Sequence, residues 1–240
     1  MKTGIPLPKI CVYVKIPSYI ACRDMMFIDF RKKIEKIRLC LWWFYSSKTD
    51  DEEIHRVSEE AAAIMGIKPF KNIKICPRFY MANAAVIGFR CRTLVLTKTL
   101  LELLNIEELK AVLLHEYAHC KLKHQLKLMS LSMMLLLGIA LICIYIVLSL
   151  EQEALALGIS IPLLIISYIS IYILTRFILK RFELEADCLA VSKLNNTITY
   201  INILRKIKMV NGDVSGWRAI LSPHPPIDKR ILYISTCVNK

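Results

Sequence analysis

No C-x-x-C pair occurs in this 240-residue chain, although it holds nine cysteines: Cys11, Cys22, Cys40, Cys76, Cys91, Cys120, Cys143, Cys188 and Cys237. An odd number without close pairs argues against a zinc ribbon or a disulfide framework and for reduced thiols in a reducing compartment. Cys120 and Cys188 each follow a candidate site residue, and a neighbour in sequence points to another face of a helix, so both read as packing residues. No internal repeat or low-complexity segment occurs. Residues 1–20 carry Lys2, Lys9 and Lys15 among scattered prolines and lack the apolar run of a secretory signal. The absence with the largest consequence is of charge: neither Leu128–Leu150 nor Ala154–Thr175 contains a charged residue.

Each of these stretches exceeds the roughly 20 helical residues that cross a ~30 Å hydrocarbon core, so the lipid bilayer is the expected partner of both. The composition agrees, with 55% hydrophobic residues and a mean hydropathy of +0.46. The connection between the stretches holds Glu151 and Glu153 and no Lys or Arg. The outer flanks are basic, with Lys121, Lys123 and Lys127 before and Arg176, Lys180 and Arg181 after. The positive-inside rule then predicts a multi-pass cell-membrane protein of two spans with both termini cytoplasmic. Much of the +13 net charge flanks these segments or lies in the N-terminal region. With no nucleic-acid motif present, no nucleic-acid partner is expected.

Four regions follow: a basic N-terminal region over 1–49, a first part of a folded domain over 50–127, a transmembrane hairpin over 128–175, and a second part of the domain over 176–240. Within the first, Phe30–Tyr45 mixes Arg31, Lys32, Lys33, Lys36 and Arg38 with Ile34, Ile37, Leu41, Trp42, Trp43 and Phe44. That pattern fits an interfacial helix on anionic lipid and equally a surface helix packed on the domain. Asp50–Met65 reads as a helix closed by Gly66. Strand-like runs cover Ile73–Cys76, Tyr80–Phe89 and Thr93–Leu96, and a short helix runs from Thr97 to about Leu104. Asn105 and Glu108 have the spacing of a capping box. From Ile106 the helical pattern meets no Gly or Pro before the first apolar stretch, so this helix is expected to continue straight into the bilayer.

That helix carries His115-Glu116-Tyr117-Ala118-His119. Histidines at i and i+4 share one helix face and can share one zinc ion. The intervening Glu116 is placed as general base toward a water beside the metal. A catalytic zinc needs a third protein ligand, and Glu183, Glu185 and Asp187, directly after the second apolar stretch, are the candidates. A transmembrane hairpin starts and ends on one side of the membrane, so these acids return beside His119 despite the distance in sequence. Glu183 and Asp187 lie one turn apart; one can bind metal while the other accepts a hydrogen bond from a ligand histidine. His55 and His124 read as surface residues.

H-E-x-x-H, two membrane helices and then E-x-x-A-D resembles the HtpX-like and CaaX-prenyl-endopeptidase group of integral membrane zinc metallopeptidases. The resemblance implies an α+β fold: a mainly helical zincin-like domain with a small sheet, interrupted by the two-helix hairpin. It implies Zn²⁺, one per chain, held by His115, His119 and Glu183, with Asp187 behind a ligand histidine and Glu185 a variable position. It extends to His224-Pro225-Pro226 followed by Arg230, where such a His and Arg would hold substrate or the developing oxyanion. It also reaches Asn83-Ala84, with Gly88 beyond, as the strand beside which a polypeptide substrate would lie extended. Pro223 departs from the small polar residue often found before that His, and residues 1–127 lack the extra membrane helices of many relatives. The expected function is a zinc endopeptidase acting on membrane-associated or misfolded proteins at the cytoplasmic membrane surface; the alternative is a non-catalytic membrane adaptor that retains the fold.

Overall fold

The computed structural model describes residues 46–77, 80–88, 90–194, 196–213 and 216–238. Most of the basic 1–49 region, with the Phe30–Tyr45 segment, lies outside the described residues. Strand β1 (Ser47–Lys48) leads into helix α1 (Glu52–Met65). Asp51 caps this helix by accepting from the amides of Glu53 and Ile54. Gly66 closes it at φ 69°, a left-handed conformation that glycine adopts without a Cβ clash. Strands β2 (Asn72–Cys76), β3 (Ala84–Ile87) and β4 (Thr93–Thr97) complete a four-stranded sheet of order β1-β2-β4-β3. The β2 and β4 strands are parallel, and both edge strands run antiparallel to their neighbours. Leu94, Val95 and Leu96 of β4 are fully buried, as expected for a strand covered on both faces.

Helix α2 (Lys98–Leu103) is capped by the Thr97 hydroxyl. Helix α3 (Ile106–Lys121) starts with the expected capping box, Asn105 and Glu108 bonding reciprocally at 2.9 and 3.0 Å. It is the centre of the domain. Residues 111 to 118 are buried in succession, so the helix is enclosed on all sides. One flank packs on α1, where the Tyr117 hydroxyl bonds Ser58 at 2.7 Å and accepts from the Phe70 amide at 3.1 Å. Truncating the fully buried Leu113 to alanine would cost about 2–5 kcal/mol.

The helix does not run straight into the apolar stretch, contrary to the continuous pattern in the sequence. It ends at Lys121, and Lys123 takes φ 55°, ψ 36° before helix α4 (His124–Ser149) begins. Helix α5 (Glu153–Val191) follows and packs along α4. At 1.5 Å per residue, α4 is about 39 Å long and α5 about 58 Å. Their apolar side chains face outward: Leu137 is 62% exposed, Leu148 81% and Tyr168 68%. Such surfaces suit lipid rather than water. The C-terminal end of α5 continues from the apolar stretch into the domain without a break, packing against α3 through Ala186, Ala190 and Val191. Helices α6 (Thr197–Asn211), α7 (Trp217–Leu221) and α8 (Ile227–Val238) cover this part, with Tyr200, Ile203 and Ile234 buried.

The cysteines depart from the expectation of reduced thiols. Cys91 and Cys120 form one disulfide and Cys188 and Cys237 another, each with Cα atoms 5.9 Å apart. The partners are 29 and 49 positions apart and meet only through the fold, which is why local spacing did not reveal them. Cys76 and Cys143 are free and buried.

Candidate metal centre

Helices α3 and α5 bring His115, His119 and Glu183 into one cluster whose ligand atoms all lie within 4.8 Å of one another. The two Nε2 atoms are 3.1 Å apart; Glu183 Oε1 is 3.2 Å from His119 Nε2, and Oε2 is 3.7 Å from His115 Nε2. A tetrahedral zinc with ligand bonds near 2.1 Å has ligand-to-ligand edges of about 3.4 Å. The three edges bracket that value.

The remaining ring nitrogen of His115 shows which lone pair is free. Its Nδ1 lies 3.0 Å from Asp187 Oδ1. An ionised carboxylate only accepts, so Nδ1 carries a proton, and in the neutral ring it is Nε2 that keeps a lone pair toward the cluster. Asp187 is fully buried and is held from further directions. Arg230 donates from Nε and Nη2 at 2.7 and 2.6 Å, and the Tyr200 hydroxyl donates at 2.7 Å. Tyr200 carried no motif in the sequence; it stands 13 positions after Asp187 on α6 and reaches back to both Asp187 and His115.

The electrostatics describe a site built for positive charge. Burial alone would lower His115, but hydrogen bonds and charge from Asp187 and Glu183 outweigh it and raise the imidazole to about 10. Burial would likewise raise Glu183; the adjacent His224, with hydrogen bonds from His115 and His119, holds its carboxyl well below the usual range. Burial opposes the Arg230 charge, and Asp187 more than restores it. Two imidazole lone pairs and a carboxylate converging in a buried site are the donor set of a divalent cation such as Zn²⁺, and the residues fit the metal.

Glu116 is buried at 9% exposure, and among the described residues no hydrogen bond or ion pair engages its carboxylate. His224 stands at the rim, its side chain 55% exposed and its Nδ1 2.8 Å from Glu183 Oε2. Arg230 faces Asp187 and, through Nη1 at 3.7 Å, Glu183. Asn83 and Ala84 lie on the sheet-edge side: the Asn83 amide donates to Thr97 Oγ1 at 2.9 Å, and Asn83 Oδ1 accepts from the Ala84 amide at 3.0 Å. The β3 strand packs beside α3.

His124 is not a surface residue. It is 3% exposed, its Nδ1 lies 3.0 Å from His119 Nδ1, and its Nε2 lies 3.3 Å from Glu185 Oε2. A third histidine five positions after H-E-x-x-H was visible in the sequence. A regular helix would have carried it to another face, and only the turn at Lys123 brings it back. His55, by contrast, stays near the surface and bonds the Thr49 carbonyl at 3.0 Å.

The model of peptidase family M48 matches residues 48–238. Among solved structures, the crystal structure of S. mikatae Ste24p superposes with a TM-score of 0.61 at 17% identity, covering 88% of this chain. The chain spans 56% of the length of that protein. No curated protein matches the chain by sequence.

Proposed function

The chain belongs to peptidase family M48, and from that premise we propose that it is a membrane-embedded, zinc-dependent endopeptidase. It would cleave membrane-associated or misfolded polypeptides at the cytoplasmic membrane surface. The observation that carries the reading is the convergence of His115 and His119, on α3 just before the turn that opens the first apolar helix, with Glu183, on the helix that continues from the second. His115, His119 and Glu183 would hold the Zn²⁺. When bound, the ion lowers the pKa of a water and polarises the scissile carbonyl.

The rest of the chemistry belongs to the protein. Glu116, whose carboxylate has no competing partner among the described residues, takes a proton from the attacking water as its oxygen bonds the carbonyl carbon. It then delivers that proton to the departing amine nitrogen as the C–N bond breaks. Asp187 accepts from His115 Nδ1 and keeps the Nε2 lone pair aimed at the cluster. Arg230 and Tyr200 hold Asp187 in place, so the Arg230 guanidinium acts first on this carboxylate and on Glu183. His224, exposed at the rim, donates to the developing oxyanion. The substrate lies extended beside β3, an edge strand whose backbone can pair with it, with Asn83 and Ala84 shaping the start of that edge.

The cytoplasmic orientation rests on the basic flanks of the spans. The two disulfides, common outside the cytoplasm and rare within it, are the observation against which it must be tested. The metal assignment is tested by zinc analysis of the purified full chain. About one zinc per chain is expected in the wild type, with loss in His115→Ala and in Glu183→Ala; full zinc in either variant contradicts the ligand set.

A further inference from the structure

The backbone at the end of α3 spends conformational energy on a single contact. The Leu122 amide still bonds the Ala118 carbonyl and the Lys123 amide the Cys120 carbonyl, but Lys123 itself is left-handed at φ 55°. That conformation costs an L-residue with a side chain about 1–2 kcal/mol. In an unbroken helix His124 would stand about 140° around the axis from His119, out of reach. The turn instead seats the His124 imidazole 3.0 Å from His119 Nδ1 and stacks it on Phe182, with ring centroids 4.2 Å apart and planes within 1°.

The hydrogen-bond roles along this chain follow from its far end. Glu185 accepts from Arg181 at 3.3 Å through one oxygen and faces His124 Nε2 at 3.3 Å with the other. An ionised carboxylate cannot donate, so His124 Nε2 carries its proton and His124 Nδ1 is left as an acceptor. Facing it, His119 Nδ1 must be the donor. The lone pair of His119 is thereby confined to Nε2, the atom that faces His115 and Glu183.

We propose that His124 and Glu185 are positioning residues that set the tautomer and ring orientation of His119 for the metal. The inference rests on the zinc reading of the cluster and extends it. His115 is set by Asp187 directly, while His119 is set by Glu185 through an interposed imidazole. Both carboxylates come from α5, two positions apart and so on different sides of that helix. Glu185, which the family resemblance leaves as a variable position, thereby has a role in this chain.

Zinc titration of the metal-free full chain in detergent, against a chelating indicator, tests this. His124→Phe keeps an aromatic ring to stack on Phe182 and removes both nitrogens. Its zinc dissociation constant is expected to rise roughly 10–100-fold, with the melting temperature of the zinc-free protein unchanged. Glu185→Gln retains an acceptor for His124 and should stay within about threefold of wild type, while Glu185→Leu follows His124→Phe. The Glu185 side chain is 36% exposed, so this pair gives the answer even if His124→Phe does not fold. Zinc affinity within about threefold of wild type in His124→Phe or in Glu185→Leu overturns the proposal. Wild-type protein that takes up no zinc overturns the metal-centre reading itself, and this inference with it.

Discussion

Removing the Arg230 guanidinium should destabilise the domain well before any question of catalysis arises. The Asp187 side chain is fully buried, and two of its four hydrogen bonds come from Arg230, at 2.6 and 2.7 Å. In Arg230→Met the carboxylate keeps only the Tyr200 hydroxyl and His115 Nδ1, and the His115 charge is divided between Asp187 and Glu183. Breaking one partner out of a buried ion pair costs about 3–5 kcal/mol, because the other charge is left uncompensated. The Arg230 side chain retains 13% exposure, which favours the lower end. For a domain of this size 1 kcal/mol moves the melting temperature by roughly 2–4 °C, so a fall of roughly 6–12 °C is expected. Circular dichroism melts of the zinc-free protein in detergent measure it. The double variant Asp187→Leu/Arg230→Met removes both charges and should recover most of the loss. A single variant that melts within about 2 °C of wild type, or a double variant no better than the single, would refute the account of Asp187 as a carboxylate held by charge.

The Cys91–Cys120 and Cys188–Cys237 disulfides close separations of 29 and 49 residues. Chain entropy assigns them about 3.6 and 4.1 kcal/mol. Cys91→Ser and Cys188→Ser should each lower the melting temperature, and reductant should do the same to wild type; indifference to both would mean the pairs are not closed in solution. At Lys123, substitution by glycine should leave the melting temperature equal or higher, because the left-handed penalty is removed. Lys123→Val should lower it, and equal stability of the Val variant contradicts the strain assigned to the turn. If the basic flanks set the topology, a cysteine introduced as Gln152→Cys should react with an impermeant maleimide on intact cells. Reaction only after lysis would reverse the orientation.

Much of the fold was legible because its signals are local. The Asp51 and Asn105 caps, the Gly66 stop and the three main strands follow from short-range chemistry, and their boundaries in the structure differ by a residue or a few from the sequence pattern. The approach of Glu183 to His115 and His119 is long-range in sequence, yet a two-helix hairpin must return its ends together, so it too could be read. The break at Leu122–Lys123 could not. Neither residue is a helix breaker, and what favours the turn is the seat it gives His124 against His119, Phe182 and Glu185. The disulfides and Tyr200 were hidden for the same reason: their partners meet only through tertiary packing, and no spacing announces them. The pairing of Arg230 with the Asp187 carboxylate likewise required coordinates.

In the proposed reaction Glu116 moves the proton at a zinc held by His115, His119 and Glu183. Purified Glu116→Gln protein, free of contaminating protease, tests it most directly when zinc content and cleavage of a membrane-protein substrate are measured on the same sample. Wild-type zinc is expected, with cleavage reduced by about 10²–10⁴-fold or more. Undiminished cleavage at full zinc occupancy would contradict it.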